Sequence, residues 1–147
     1  MNNFLSQFDA PVQNRVMVEI VIAACGLELA GFLTNEDLEL YYNISRGGHD
    51  MGYISKGWDD PGFRIGDLIL LKEGQKDDAA RACSKEILNH CAVNGIAVTA
   101  EMRDDIYELA LDGVIYTEGF NKATFIKTLE TLNECAEKVR ALLSVQE

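Results

Sequence analysis

Proline, histidine and tryptophan are scarce in this sequence, and basic residues are outnumbered. The 147 residues include only two prolines, two histidines and one tryptophan, while 48% of them are hydrophobic. A chain this apolar and this poor in proline does not have the composition of a disordered protein. Thirteen Lys and Arg stand against 24 Asp and Glu, which gives a net charge of −11. Because nucleic acids and anionic membranes attract basic surfaces, this balance argues against both as partners.

Cysteine motifs and a targeting segment are also missing. Cys25, Cys83, Cys91 and Cys135 form no CxxC pair, and their spacing matches no zinc ribbon or finger. We therefore expect four buried, reduced thiols that pack as small hydrophobic side chains. The first residues contain Asp9 and no basic stretch ahead of an apolar run, so we expect no signal peptide and a cytoplasmic location.

Residues 12–30 predict a long first helix. Val12, Val16 and Ile20 recur at helical spacing, and a second apolar stripe lies beside them. A helix that is apolar over so much of its circumference must be buried on more than one side, by its own domain or by a second chain. Because β-branched residues are frequent here, a strand over residues 16–22 is the alternative.

Residues 38–71 predict three short antiparallel strands joined by tight turns. Leu38–Ser45 alternates apolar and polar residues, which is typical of a half-buried strand. A Gly-Gly turn leads to a returning strand over Met51–Ser55. A second glycine-containing turn precedes the third strand, Phe63–Leu71.

A middle helix over residues 79–93 follows and ends at an Asn-Gly pair. The segment after it fits two structures equally well. One is a helix over residues 99–111; the other is a hairpin with strands at 96–102 and 106–116.

The clearest element is an amphipathic helix that starts at Asn121 or Thr124 and runs to about Ser144. Together these elements predict an α+β fold. An antiparallel sheet of three to five strands packs with an N-terminal helix, a middle helix and the long C-terminal helix. Since no linker or repeat divides the sequence, residues 1–147 are expected to form a single domain, with residues 1–10 as a loosely packed N-terminal segment.

No residue pattern points to catalysis, a cofactor or a metal. His49 and Asp50 lie together in a glycine-rich turn, with Asp59 and Asp60 not far along the chain. Adjacent strand residues face opposite ways, however, which separates such a pair. The glycine-rich turns lack the Lys and Ser/Thr of a phosphate-binding loop. We therefore predict no catalytic residue, no cofactor and no metal ligand in a protein that is not an enzyme.

Aromatic residues cluster in the section of predicted strands and turns. Tyr41, Tyr53, Trp58 and Phe63 all lie between residues 41 and 63. Strand alternation places at least one tyrosine on the outer face of the sheet, and exposed tyrosine and tryptophan are common in protein-binding surfaces. These four residues are our candidate partner-binding residues; core packing is the alternative explanation for them.

With the hairpin, the predicted order of elements is α-β-β-β-α-β-β-α, ending in the segment IYELALDGVIYTEGFNKATFIKTLETLNECAEKVRALL. This order, the small size and the acidity resemble the class I chaperones of type III secretion systems and related small bacterial proteins of the same fold. The resemblance covers about residues 12–145. It implies a homodimer that binds an extended segment of a partner protein through apolar surface, without catalysis or nucleotide.

The leading functional hypothesis is therefore a non-catalytic, cytoplasmic protein-binding module of the secretion-chaperone type. Its partner would be another protein, either a secreted effector or a basic target. The alternative is an acidic inhibitor or immunity protein that blocks a basic site on an enzyme or nucleic-acid-binding complex. The acidic pairs Glu36-Asp37, Asp59-Asp60, Asp77-Asp78 and Asp104-Asp105 would supply its negative surface, although carboxylates at turns and helix starts also serve as local caps.

Overall fold

A computed structural model describes residues 9–71, 85–103 and 106–144. Within these residues the α-helices are α1 (Ala10–Ala24), α2 (Lys85–Val93) and α3 (Lys122–Ser144), with a 3-10 turn at Thr117–Gly119. The strands are β1 (Glu28–Leu33), β2 (Leu38–Arg46), β3 (His49–Gly57), β4 (Gly62–Leu71), β5 (Ala97–Arg103) and β6 (Ile106–Tyr116). The strands form an antiparallel sheet in the order β1-β2-β3-β4-β6-β5.

The predicted α+β fold is confirmed, with six strands rather than three to five. Of the two structures predicted for the segment after the middle helix, the hairpin is confirmed. Strands β5 and β6 pair from Ala97 opposite Asp112 to Arg103 opposite Ile106. The expected loose segment 1–10 falls mostly outside the described residues, as do Cys83 and the first residues of the predicted middle helix.

The additional strand is β1, whose first three residues lie within the helix predicted over residues 12–30. Helix α1 ends earlier because Gly26 adopts a left-handed φ of +72°. The Gly26 amide donates to the carbonyl of Ala23 and the Leu27 amide donates to the carbonyl of Ile22, which closes the helix as a Schellman motif. Leu27 and Ile22 are both buried at this motif, so the chain leaves the helix packed against it and enters β1.

The chain divides into two compact units. The first comprises residues 115–126 and the described residues up to Arg64; the second comprises residues 65–114 and the described residues from Lys127 onward. In the first unit the helix α1 buries Val18 and Ile22 completely. The strand residues buried in this unit include Leu40, Tyr42, Ile44, Ile54 and Phe63.

The second unit has a core built from strand and helix residues. Strand β6 has one buried face: residues 109, 111, 113 and 115 are buried, and the residues between them are more exposed. Residue 115 belongs to the first unit. Helix α3 contributes Leu129, Leu132, Cys135, Ala136 and Val139 to the core. The predicted amphipathic C-terminal helix is therefore present, and Asn121 caps its start by accepting the Thr124 amide at 3.0 Å.

Candidate functional site

The outer face of the β1–β2–β3 sheet carries two of the predicted tyrosines. Tyr41 lies opposite Ser55 and Asn43 lies opposite Tyr53, so these side chains share one face. The rings of Tyr41 and Tyr53 meet edge to face, with centroids 5.5 Å apart. The Tyr41 hydroxyl donates to Oδ1 of Asn43 at 3.2 Å. Both rings are half-buried, so this face presents aromatic surface with fixed side-chain positions.

Leu33 extends this surface onto β1. It pairs with Tyr41 in the β1–β2 register and is 46% exposed. Partial burial raises the pKa of the Tyr41 phenol, and the Asp50 carboxylate raises it further. Tyr41 therefore stays a neutral, hydrogen-bonding ring at physiological pH.

Trp58, the third predicted residue, is exposed at the turn after β3. Its indole Nε1 donates to the carbonyl of Asn35 at 2.7 Å, which ties this turn to the turn between β1 and β2. Asp60 accepts the Gly57 amide at 3.0 Å, so one of the acidic pairs does serve as a local cap. The result is an exposed indole flanked by two acidic turns.

Phe63, the fourth predicted residue, is fully buried and has no surface to offer a partner. Its ring lies 4.6 Å from that of Phe120, which in turn contacts Phe125. Strand alternation is the signal that separates it from the others, because Phe63 has the same phase along β4 as the buried Ile65, Ile69 and Leu71. Phe63 is a core residue.

The surface that sequence reasoning missed is the edge strand β1. All but one of its residues are exposed, and Leu29 is half-buried. In the described part of the chain, β2 is the strand that pairs with it, so the other side of β1 presents backbone amides and carbonyls. The helix predicted over residues 12–30 includes the start of β1, and no strand was predicted over residues 28–33. The Gly26 stop is the signal that reveals this edge.

A polar and aromatic cluster fixes α1 over β1 and β2. Tyr42 donates its hydroxyl to Glu19 at 2.6 Å, and Nε of Arg15 donates to the same hydroxyl at 3.1 Å. The Arg15 guanidinium lies 4.0 Å from the centre of the Phe32 ring, which itself contacts Tyr42. Burial is the main cause that raises the pKa of Tyr42, and its bond to Glu19 adds to the effect. The cluster holds Phe32 at the sheet edge with 38% of its surface exposed.

Helix α1 keeps an apolar stripe uncovered on its outer side. Val12 and Ile20 are 42% and 46% exposed, and Val16, which lies between them on the same face, is partly exposed. The sequence predicted that this helix is buried on more than one side. Within the described residues it is buried on one side only, and its outer side is exposed.

A buried ion pair lies beneath the start of α1. Nζ of Lys56 is 3.3 Å from Oε1 of Glu39, and both side chains are almost completely buried. Asn14 donates to the other carboxylate oxygen at 2.9 Å, and Lys56 also donates to the carbonyl of Gly57. The register shifts between Leu38 and Leu40, where Glu39 is the extra residue of a β-bulge. This bulge brings the carboxylate to the lysine.

The region of His49 and Asp50 offers no assembled chemistry. His49 is exposed at the turn between β2 and β3, and the Asp50 carboxylate accepts the amide of Gly52 at 2.9 Å. Among the described residues, no group of three or more His, Cys, Asp or Glu is arranged to hold a metal ion. No helix within the described residues combines the length and apolarity needed to cross a membrane.

Comparison with known proteins gives a structural neighbour and no family. The chain matches no protein-family model and no curated protein. Its structure is similar to the crystal structure of an uncharacterized protein from Methanothermobacter thermautotrophicus, with a TM-score of 0.67 and 13% sequence identity. The match covers 90% of this chain and 98% of that one. At this identity, the similarity shows that the two proteins share a fold.

Proposed function

We propose that the chain is a non-catalytic, cytoplasmic protein-binding module of the secretion-chaperone type, which binds an extended segment of a partner protein along β1. The observation that carries the proposal is the exposed β1 edge with apolar side chains on both of its faces. An edge strand binds a peptide by continuing the sheet, so main-chain hydrogen bonds supply affinity and alternate side chains supply specificity.

The two faces of β1 would receive different side chains of the bound segment. On the outer face, Leu33 and Tyr41 offer apolar and aromatic contact. On the α1 side, Phe32 lies beside Tyr42 and Arg15. A bound strand with apolar residues at every second position would therefore bury them against Leu33 or Phe32.

Charge favours a basic segment as the occupant. The first unit contains ten Asp and Glu and five Lys and Arg among its described residues, a net charge of −5. Glu28 lies on β1 itself, and Glu36 and Asp37 follow it in the next turn. Lysines or arginines in the bound segment would complement these carboxylates and speed association.

A strand-forming peptide tests this binding mode. We expect a fluorescein-labelled decapeptide of alternating Val and Lys to bind the full chain, as measured by fluorescence anisotropy. Leu33→Lys should weaken binding about tenfold or more, because it removes an apolar contact and adds a like charge. Leu70→Lys is the matched control: Leu70 is 63% exposed on β4, a strand inside the sheet, and this variant should bind like the wild type.

The same peptide N-methylated at alternate backbone amides should lose binding, because strand addition needs those amides as donors. Absence of binding by the unmethylated peptide would contradict the proposal. So would equal binding of the methylated peptide, or equal losses in Leu33→Lys and Leu70→Lys.

The acidic-inhibitor function is the second candidate, and the two acidic turns beside Trp58 favour it. The peptide experiment distinguishes the two. Binding through exposed charges alone would tolerate N-methylation and disappear as salt rises to about 0.5 M, where charges are screened over a few ångströms.

The proposal includes a homodimer that covers the outer stripe of α1. In an antiparallel pair of α1 helices centred on Val16, Val12 would face Ile20 of the second copy. Glu19 would face Gln13 in the same arrangement, so no like charges would meet. A self-complementary apolar stripe is what a twofold interface requires.

Sedimentation equilibrium tests the dimer. We expect a dimer at micromolar concentration for the wild type and a monomer for Ile20→Asp, because the buried carboxylate would be unpaired in the interface. Val93→Asp should remain dimeric, since Val93 is 87% exposed on α2, far along the chain from this stripe. A monomeric wild type, or a dimer unaffected by Ile20→Asp, would remove α1 as the interface.

A further inference from the structure

Helix α2 ends in a cap that is built on an asparagine–glycine pair. Gly95 has a left-handed φ of +79°, and its amide donates to the carbonyl of Ala92 at 2.9 Å. The amide of Ile96 donates to the carbonyl of Cys91 at 2.8 Å, so the helix closes as a Schellman motif. Cys91 and Ile96 are both buried, at the two positions where this motif commonly has its hydrophobic contact. We call residues 91–96 the α2 cap.

The α2 cap contains a pair of residues that is chemically labile in an unfolded chain. Asn94 and Gly95 form the single Asn-Gly pair of the sequence. Such a pair is prone to deamidation, because the backbone nitrogen of glycine can attack the asparagine side chain and no Cβ hinders the approach. Asn94 is exposed, so burial does not protect it.

The hydrogen bonds of the α2 cap engage both groups that would react. Nδ2 of Asn94 donates to the carbonyl of His90 at 2.9 Å, which directs the side-chain amide back along the helix and away from Gly95. The proton that the Gly95 nitrogen would have to lose is the one it donates to Ala92. Attack therefore needs a local opening of the α2 cap that frees the nitrogen and lets the side-chain amide turn.

We propose that Asn94 is a site of spontaneous deamidation that the α2 cap closes in the folded protein, and that the reaction destabilises the cap once it has occurred. The Gly95 nitrogen gives its proton to hydroxide and bonds to Cγ of Asn94. The bond from Cγ to Nδ2 breaks, and Nδ2 takes a proton from water and leaves as ammonia. Water then adds to one carbonyl of the resulting cyclic imide and opens the ring, which gives aspartate or isoaspartate at position 94. Overall, one water enters, one ammonia leaves and nothing is oxidised or reduced.

Either product is unfavourable at this end of α2. The new carboxylate cannot donate to the carbonyl of His90, and its charge lies at the negative end of the helix dipole. Isoaspartate also lengthens the backbone by one carbon directly before Gly95. The carbonyl oxygen of Gly95 lies only 3.3 Å from the place that a Cβ at Gly113 of β6 would occupy, so the longer chain has little room there.

Peptide mapping of the full chain after incubation at mildly alkaline pH tests the inference. We expect the folded wild type to deamidate at Asn94 about tenfold or more slowly than the same chain in urea, because only the opened fraction reacts. Ile96→Ala keeps the Asn-Gly pair but removes much of a buried side chain of the α2 cap, so the folded variant should react faster than the wild type. Val93→Ala is the matched control: Val93 is 87% exposed, and this variant should react like the wild type.

Two further measurements complete the test. Circular dichroism establishes that Ile96→Ala is folded, and Ile96→Val takes its place if it is not. Asn94→Asp should have a lower Tm than Asn94→Ser, because both variants remove the side-chain amide and only the first adds a negative charge. Equal deamidation rates in the folded and the urea-treated wild type would overturn the inference. So would a folded Ile96 variant that reacts no faster than Val93→Ala, or equal Tm values for the two Asn94 variants.

Discussion

Replacing Lys56 with methionine should lower the free energy of unfolding by about 3–5 kcal/mol, because the variant leaves the Glu39 carboxylate buried without its counter-ion. Both side chains of this pair are about 95% buried, with 6% and 5% of their surfaces exposed. Asn14 would still donate one hydrogen bond to the carboxylate, but a single amide does not replace a positive charge. Urea denaturation at neutral pH measures the loss.

Two further variants separate the cost of an unpaired charge from the value of the pair. The double variant Glu39→Leu with Lys56→Met should unfold within about 1–2 kcal/mol of the wild type, since apolar replacement of a buried ion pair is often neutral or stabilising. Arg140→Met removes the ion pair with Asp67, in which the arginine is 50% exposed, and should cost at most about 1 kcal/mol. A loss for Lys56→Met no larger than that of Arg140→Met would show that water reaches Glu39.

Gly62→Ala should lower the free energy of unfolding by about 3 kcal/mol, because no side chain can move aside to make room. A Cβ at this position would lie 2.5 Å from the carbonyl oxygen of Ile115 and 2.8 Å from the Cα of Tyr116. Both are backbone atoms, and Thr117 in the same segment donates its amide to the carbonyl of Pro61 at 3.2 Å. Relief of the clash would have to separate β4 from β6 at this point.

Gly119→Ala is the matched control for that substitution. A Cβ at Gly119 meets no atom within 4 Å, so we expect a change in stability of no more than about 0.5 kcal/mol. Thermal unfolding of both variants under one condition compares them. Similar unfolding temperatures for Gly62→Ala and Gly119→Ala would show that β4 and β6 separate at little cost.

Local signals were enough to predict several elements of this fold. The alternation over residues 38–45 matches β2, and the Gly-Gly turn that follows has φ values of +55° and +85°, which glycine adopts without strain. The Asn-Gly pair after the middle helix also acts as predicted: Gly95 has a φ of +79° and Ile96 donates back to the carbonyl of Cys91. The same motif at Gly26 was missed because the apolar pattern of the first helix continues past it.

Other choices could not be made locally. Residues 99–111 fit a helix as well as a strand, and the strand forms because it buries Leu109 and Leu111 on one face. At Gly113 of the same strand, a Cβ would come within 3.1 Å of the Ile96 side chain. The candidate site divides in the same way. Tyr41, Tyr53 and Trp58 were predicted as candidate residues from composition and alternation, whereas the exposure of β1 depends on which strand pairs with it.

The sequence by itself determined the composition of this protein's surface and the local geometry of its chain. The net charge of −11 is a sum over the residues of the chain. Neighbouring residues account for the amphipathic α3, the strand alternation and the left-handed glycines. The tertiary structure alone decided that β1 is an edge and that Glu39 meets Lys56 across 17 residues. The physical reason is that these features depend on contacts between residues that are distant in sequence. Local conformational preference carries no information about such contacts.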